Sequence, residues 1–240
     1  MAGPRDGVVA VTAGREARLL HTSDLHVGSS LLAEHGLAGV RAVADAATRA
    51  EADAVLIAGD LFDHARVPDA LIADCLRELR RIRCPLVIAP GNHDLTAPGS
   101  VYDRVDLRRA GEAVTLARDP DGEHVTLGAV SIWCRGFLSH EPSFRPLGGY
   151  RPGPGDGWQV AMAHGHYARP GAAPRSSPIH STEIAATGCA YVALGHWHHF
   201  EEVSSGGVAA CYSGAPGESG SVNLVTLAPG RGAEIVRTPC

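Results

Sequence analysis

The sequence contains no lysine: all 21 of its basic residues are arginine. Set against 26 acidic residues, they leave a formal net charge of -5, which gives no support for a broadly basic surface that would hold nucleic acid by charge alone. The bias fits genomic composition, although arginine is also the better fork for phosphate oxygens. Paired cysteines are missing as well. Cys75, Cys84, Cys134, Cys189, Cys211 and Cys240 include no Cys-x-x-Cys, and most lie in apolar stretches. That excludes a thiolate zinc motif and reads as the reduced core of a cytoplasmic protein. No hydrophobic run approaches a membrane span, so no membrane partner is expected. The first seventeen residues lack the apolar centre and cleavage site of a signal peptide, and are expected to be a flexible segment.

With 45% hydrophobic and 20% charged residues in 240, the composition is that of an ordinary globular chain, expected to form one domain over residues 18–240. Apolar runs at 18–22, 54–58 and 86–89 read as buried strands. Between them, Leu37, Val40, Ala44 and Ala47 recur at helical spacing, as do Leu71, Ile72, Cys75, Leu76, Leu79 and Ile82 behind a Pro68 placed at a first helical position. Strands alternating with helices predict an α/β fold with a parallel sheet. Past Gly111 the runs are short and strand-like: 114–116, 124–127, 130–134, 160–163, 191–194, 200–203, 208–212, 223–227 and 234–237, with a short helix at 181–187. The segments 139–157 and 168–178 are too rich in Pro and Gly for regular structure, and the first is expected at the rim of a site.

Five polar runs each follow an apolar stretch: Asp24-Leu25-His26, Gly59-Asp60-Leu61-Phe62-Asp63, Gly91-Asn92-His93-Asp94, His164-Gly165-His166 and Gly195-His196-Trp197-His198. Loops leaving neighbouring strand ends can converge on one point, where open α/β sheets collect their ligands. Residues i and i+2 of an extended segment share a side, so Asp24 and His26 are expected to reach one cation. Asp60 has two oxygens with which to bridge two cations, Asn92 offers a neutral carbonyl oxygen, and His164, His196 and His198 offer imidazole nitrogens. A mixed oxygen and nitrogen set without thiolate suits two divalent ions, manganese or iron before zinc. Such a pair holds a hydroxide between its members and clamps a phosphoryl group. His93 is then the proton donor to the leaving oxygen, with Asp94 or Asp63 orienting its ring. His21 reads as a hydrogen-bonded core residue. His35, His124, His140 and His180 read as surface residues, while His64, His166 and His199 flank the stronger candidates. Arg77, Arg80, Arg81 and Arg83 read as a solvated helix face.

In this order the motifs resemble the calcineurin-like metallophosphoesterase superfamily, from Arg18 to about Ser219. The strings HTSDLHVG (21–28), AGDLFD (58–63), YVALGHWH (191–198) and YSGAP (212–216) look most like its SbcD-type DNA-repair exonucleases. The resemblance implies a four-layer α/β/β/α sandwich of two mixed sheets and a dinuclear, usually manganese, centre. It puts Asp24, His26 and His198 on one metal, Asp60 between the two, and Asn92, His164 and His196 on the second. His93 matches the catalytic histidine. It further implies a nuclease working with a large ATPase partner and carrying a C-terminal DNA-facing cap, which a chain ending at Cys240 is expected to lack. The expected activity is that of a metal-dependent phosphodiesterase or DNA exonuclease-like hydrolase. A small-molecule phosphodiesterase or phosphatase and a non-catalytic scaffold are the alternatives. Nucleic acid stays open as a partner without support from net charge, and so does a homodimer through the apolar face of the helix after Pro68.

Overall fold

Strand Ala54–Ala58 is buried along its whole length, and its side chains alternate between two cores, as a period of two requires. Val55 and Ile57 join Val40, Val43, Ile72 and Leu76 in one apolar cluster. Ala54, Leu56 and Ala58 join Ile132, Val160, Met162 and Ala193 in another. A strand covered on both faces reads as an unbroken apolar run, which is why this stretch is so plain in the sequence.

The computed structural model describes residues 15–30, 35–169, 171, 173 and 175–240. Its strands are β1 (Ala17–Thr22), β2 (Ala54–Ala58), β3 (Leu86–Ala89), β4 (Val114–Leu116), β5 (Glu123–Leu127), β6 (Val130–Cys134), β7 (Trp158–His164), β8 (His166–Tyr167), β9 (Pro178–Ile179), β10 (Tyr191–Gly195), β11 (Glu201–Glu202), β12 (Ala209–Tyr212), β13 (Ser221–Ala228) and β14 (Gly232–Pro239). Its α-helices are α1 (His35–Arg49), α2 (Asp69–Leu79), α3 (Ser181–Thr187) and α4 (Pro216–Ser219). The first sheet runs β14-β13-β1-β2-β3-β4 and the second β11-β12-β10-β7-β6-β5. β1 to β4 are mutually parallel, as are β6, β7, β10 and β12, while β13, β14, β5 and β11 pair antiparallel.

The two sheets pack face to face over the second cluster. Helices α1 and α2 cover the outer face of the first sheet. The outer face of the second is covered by Ile184 of α3 together with Leu147 and Tyr150 from the Pro- and Gly-rich segment 139–157. The order of layers is therefore α/β/β/α, as expected, with a thin fourth layer. No helix among the described residues is long and apolar enough to cross a membrane.

Several local expectations need correction. Residues 1–14 of the supposedly flexible segment lie outside the described residues, but Ala17 already belongs to β1 and the Arg15 carbonyl accepts the Trp158 indole N–H at 3.0 Å. Pro68 is the N-cap of α2 rather than its first residue, and the helix stops at Leu79 with Ile82 in a following turn. The face of α2 on which a homodimer was left open is spent on its own sheet, since Ile72, Cys75, Leu76 and Leu79 are all buried. The segment 168–178 ends in β9, which pairs with β8 over two residues. Such a short pair has no periodicity to read. Arg77 and Arg81 of the arginine cluster pair with Asp74, and with Asp45 and Glu78, on the solvent face.

Candidate metal centre

β1, β2 and β3 are parallel neighbours in one sheet, β7 and β10 in the other, so their C-terminal ends open on the same side of the sandwich. The sheets close to contact there. The Nδ1–H of His164, at the end of β7, donates to the Ala58 carbonyl at the end of β2, at 2.9 Å. Gly195, which ends β10, is required at this point, because a Cβ there would run into that same carbonyl oxygen. Gly91 is required for a similar reason: a Cβ would strike the Asp60 carboxylate.

The expectation that Asp24 and His26 share one side of an extended segment is wrong in its premise. Both have positive φ, 55° and 46°, and so do Asp60 at 54° and His196 at 113°. Four candidate ligands thus adopt a conformation that costs a non-glycine residue on the order of 1–3 kcal/mol. The cost is met by backbone pairing, in which the N–H groups of Asp24, His26 and Val27 bond the carbonyls of Gly59, Asp60 and Leu61 at 2.9–3.0 Å. The convergence survives, by a tighter turn than an extended strand allows. His26 Nε2 lies 3.9 Å from Asp24 Oδ1 and 3.8 Å from Asp60 Oδ2.

The donor set passes a direct test of fit. Asp24 Oδ1 and His26 Nε2 are buried, and neither has a hydrogen-bond partner among the described residues. A buried carboxylate oxygen and ring nitrogen left facing each other are costly unless something binds both, and a cation does. Asp24, His26 and His198 bring ligand atoms within 4.8 Å of one another, as do Asp24, Asp60 and His164. Asn92 Oδ1 sits 3.0 Å from His164 Nε2 and 3.1 Å from His196 Nδ1, which joins those three residues. The outward ring nitrogens are held in place. His164 Nδ1 is on Ala58, His26 Nδ1 on Asp63 Oδ1 at 3.0 Å, and His198 Nδ1 on Glu218 Oε1 at 2.6 Å. An imidazole tied through one nitrogen turns the other inward, the usual way of orienting a metal ligand. The described residues therefore provide groups able to hold divalent cations.

The electrostatics distinguish these donors from one another. Burial pushes the Asp60 carboxyl up, but the imidazoles of His164, His26 and His93 outweigh it and hold Asp60 below the ordinary carboxylate value. His164 shows the reciprocal effect: burial alone would lower it, yet Asp60 raises it to about 9, so at pH 7 the ring is protonated and a cation bound there would displace that proton. His196 is lowered to about 4 by burial and by His164, so its ring is neutral at pH 7 and keeps a lone pair for a metal.

His93 Nδ1 lies 2.8 Å from the Asp63 carbonyl oxygen. A carbonyl only accepts, so Nδ1 carries a proton and Nε2 is the free nitrogen. The Asp63 carboxylate serves His26 more closely than His93, at 3.0 Å against 3.7 Å. Asp94 does not meet the His93 ring among the described contacts. Its carboxylate accepts the backbone N–H groups of Asp60, Leu61, Phe62 and Gly91 and the Tyr102 hydroxyl. The expectation that it orients His93 is thereby corrected: it ties two loops together.

Sequence reasoning missed Glu218, Tyr102 and His140. Glu218 stands just behind the YSGAP string, which is the signal that could have found it. Nothing in the sequence places Tyr102 on Asp94. His140, taken for a surface residue, is exposed but reaches the Asn92 carbonyl oxygen with Nε2 at 2.7 Å. It lines a cavity of about 480 Å³ with Asp63, Asn92 and His93. A second cavity, of about 360 Å³, is lined by His166, Arg175, His196, His198 and Glu218. His21 is the core residue expected, with Nδ1 2.7 Å from the Tyr191 hydroxyl.

Known proteins resemble this chain in sequence and in fold. The family profile described as calcineurin-like phosphoesterase matches residues 17–200. The DNA double-strand break repair protein Mre11 of Methanopyrus kandleri is 29% identical over 222 residues, 83% of this chain and 48% of that protein. A subunit of the SbcCD nuclease from Bacillus subtilis is 25% identical over 273 residues, 90% of this chain and 68% of that protein. The chain thus spans about half the length of the first and two thirds of the second. Among solved structures, TT1561 of Thermus thermophilus superposes with a TM-score of 0.61 at 13% identity, over 93% of this chain and 99% of that one, a likeness of fold.

Proposed function

We propose that this chain, which belongs to the calcineurin-like phosphoesterase family, hydrolyses phosphoester bonds as a phosphodiesterase acting on nucleic-acid ends. The observation that carries the reading is the facing pair of buried, unpartnered atoms, Asp24 Oδ1 and His26 Nε2, inside an all oxygen and nitrogen donor set. The names of the two curated relatives, a DNA double-strand break repair protein and a nuclease subunit, support the substrate class. The mixed donor set favours manganese. In the proposed assignment, Asp24, His26 and His198 would hold one ion and Asn92, His164 and His196 the other, with Asp60 available to both.

When bound, two divalent cations supply Lewis acidity toward the phosphoryl oxygens and acidify water. The chain's own residues do the rest. Asp63 fixes the His26 ring and Glu218 the His198 ring, so that both present Nε2 inward. His93 keeps its Nδ1 proton on the Asp63 carbonyl and, in its doubly protonated form, passes the Nε2 proton to the leaving oxygen, which leaves a neutral ring. Asp94 acts at one remove, holding the Asp60 and Gly91 backbones. A cytoplasmic location belongs to the same reading and is supported by six free cysteines. So does a companion protein, supported by the name of the Bacillus relative, which is one subunit of a nuclease.

The test is hydrolysis of bis-p-nitrophenyl phosphate with added manganese. His93→Ala is expected to lose about 10²–10⁴ in kcat with metal binding retained, and Asp60→Asn to lose metal as well. A wild type that binds two metals and turns over no diester defeats the reading. The net charge of -5 favours a second reading, a small phosphodiester as substrate. Affinity for a DNA end that falls steeply with salt supports the first reading, and a flat response the second.

A further inference from the structure

Another cavity lies beside the candidate metal centre. It encloses about 740 Å³, and its lining includes Arg145, Arg169 and Arg175. No carboxylate is among its described lining residues, although the chain as a whole carries a net charge of -5. Three guanidinium groups have therefore been gathered where the average surface is acidic. His166 and Arg175 line both this cavity and the one at His196 and His198, so the two spaces share a wall. The rings of His166 and His196 are 6.3 Å apart between centroids, which puts the mouth of the larger cavity one side chain from a candidate ligand.

The arginines differ in how far they are already engaged. Arg169 pairs with Glu201 and lies over the Tyr167 ring. Arg145 has Glu183 at 3.8 Å. Both pairs lie at the surface, where such contacts are weak and leave other guanidinium donors free. Arg175 pairs with no carboxylate among the described residues, and it lines both cavities. The same walls carry Pro142, Ala168 and Pro178, apolar surface of a size to take a sugar or base edge. A volume of this order suits one nucleotide unit, and arginine forks match phosphate oxygens in pairs.

We propose that this cavity is a subsite for the phosphate next along the chain from the one being cleaved, held by Arg175 with Arg145 and Arg169, so that the preferred substrate carries at least two phosphates. The inference rests on the phosphodiesterase reading and adds a specificity element to it. It also removes the objection from net charge: recognition needs local positive charge on one short stretch of backbone, not a basic surface.

The test uses two pairs of chromogenic esters and the manganese-loaded full chain. One pair is thymidine 5'-(p-nitrophenyl phosphate) with a free 3'-hydroxyl or a 3'-phosphate. The other is thymidine 3'-(p-nitrophenyl phosphate) with a free 5'-hydroxyl or a 5'-phosphate. In one of the pairs the added phosphate is expected to lower KM by about tenfold or more, a gain that shrinks as salt rises. Arg175→Gln, and the double change Arg145→Gln with Arg169→Gln, are expected to erode the ratio of the two KM values within that pair, and Arg175→Lys to restore part of it. The proposal is overturned if the added phosphate changes KM less than about twofold in both pairs, or if the arginine variants raise both KM values of a pair equally, as a merely structural role would. Hydrolysis of bis-p-nitrophenyl phosphate separates the two readings. If it proceeds while the ratio stays flat, only the subsite fails; if it is missing, the phosphodiesterase reading fails first.

Discussion

The carboxylate of Asp94 accepts the backbone N–H of Asp60 at 3.2 Å, binding the loop after β3 to the loop after β2. Three more backbone amides and the Tyr102 hydroxyl complete its shell at 2.7–3.2 Å. Burial, together with the nearby Asp60 carboxylate, raises the Asp94 carboxyl to about 7, while the donated hydrogen bonds oppose the rise. One side chain thus aligns the two loops that carry Asp60, Asn92 and His93.

Asp94→Asn keeps the shape but offers one acceptor oxygen and turns an NH2 toward amide donors. The expected cost is about 2–4 kcal/mol, with weaker manganese binding because Asp60 is no longer held. Urea unfolding at pH 8 reads the first effect. A loss under about 0.5 kcal/mol would show that this shell does not bear on stability.

Glu218→Gln removes the charge that fixes the His198 ring through a 2.6 Å hydrogen bond. Manganese affinity is expected to fall by about 10–100-fold with the circular dichroism spectrum unchanged. Isothermal titration checks this, and unchanged affinity removes Glu218 from the account of the site.

Manganese should raise the melting temperature, since an ion that binds only the native state stabilises it by about 2.7 kcal/mol at a hundredfold excess over Kd. Differential scanning with manganese or chelator reads the shift. Asp60→Asn should cancel it, and a variant that keeps the full shift contradicts the central place given to that carboxylate.

His21 is buried, and burial lowers its ring to about 3 from 6.5 in an unfolded chain. The unfolded state therefore binds the proton first. Stability contributed by the neutral ring is fully present above pH 6.5 and is lost as pH falls toward 3, up to about 4–5 kcal/mol. His196, also lowered by burial, adds a term of the same sign. In chelator, His21→Phe should flatten the stability curve over that window at the expense of the Tyr191 hydroxyl's partner. Equal slopes in both proteins would refute the assignment.

Much of the fold was legible because strands buried on both faces leave unbroken apolar runs, as at 54–58 and 191–194, and α1 and α2 leave a 3.6-residue period. The centre was legible because the five polar runs stand at the ends of such strands. What escaped has no local signal. β8 and β9 pair over two residues, α4 is one turn long, and the Asp94–Tyr102 contact lies within the one irregular connection between β3 and β4.

The sequence alone determined the inventory: which residues stand at strand ends, that their donors are oxygen and nitrogen, and that glycine stands at Gly59, Gly91 and Gly195, where the chain turns out of a strand. Only the tertiary structure decided what each one touches. The left-handed turns at Asp24 and His26, the division of labour by which Asp63 serves His26 while Asp94 serves the backbone, Glu218 behind His198, and the arginine-lined cavity next to the centre all depend on contacts between segments that follow different strands. Hydrogen bonds and cavities of that kind join residues far apart in the chain, and their geometry is set by how the sheets pack.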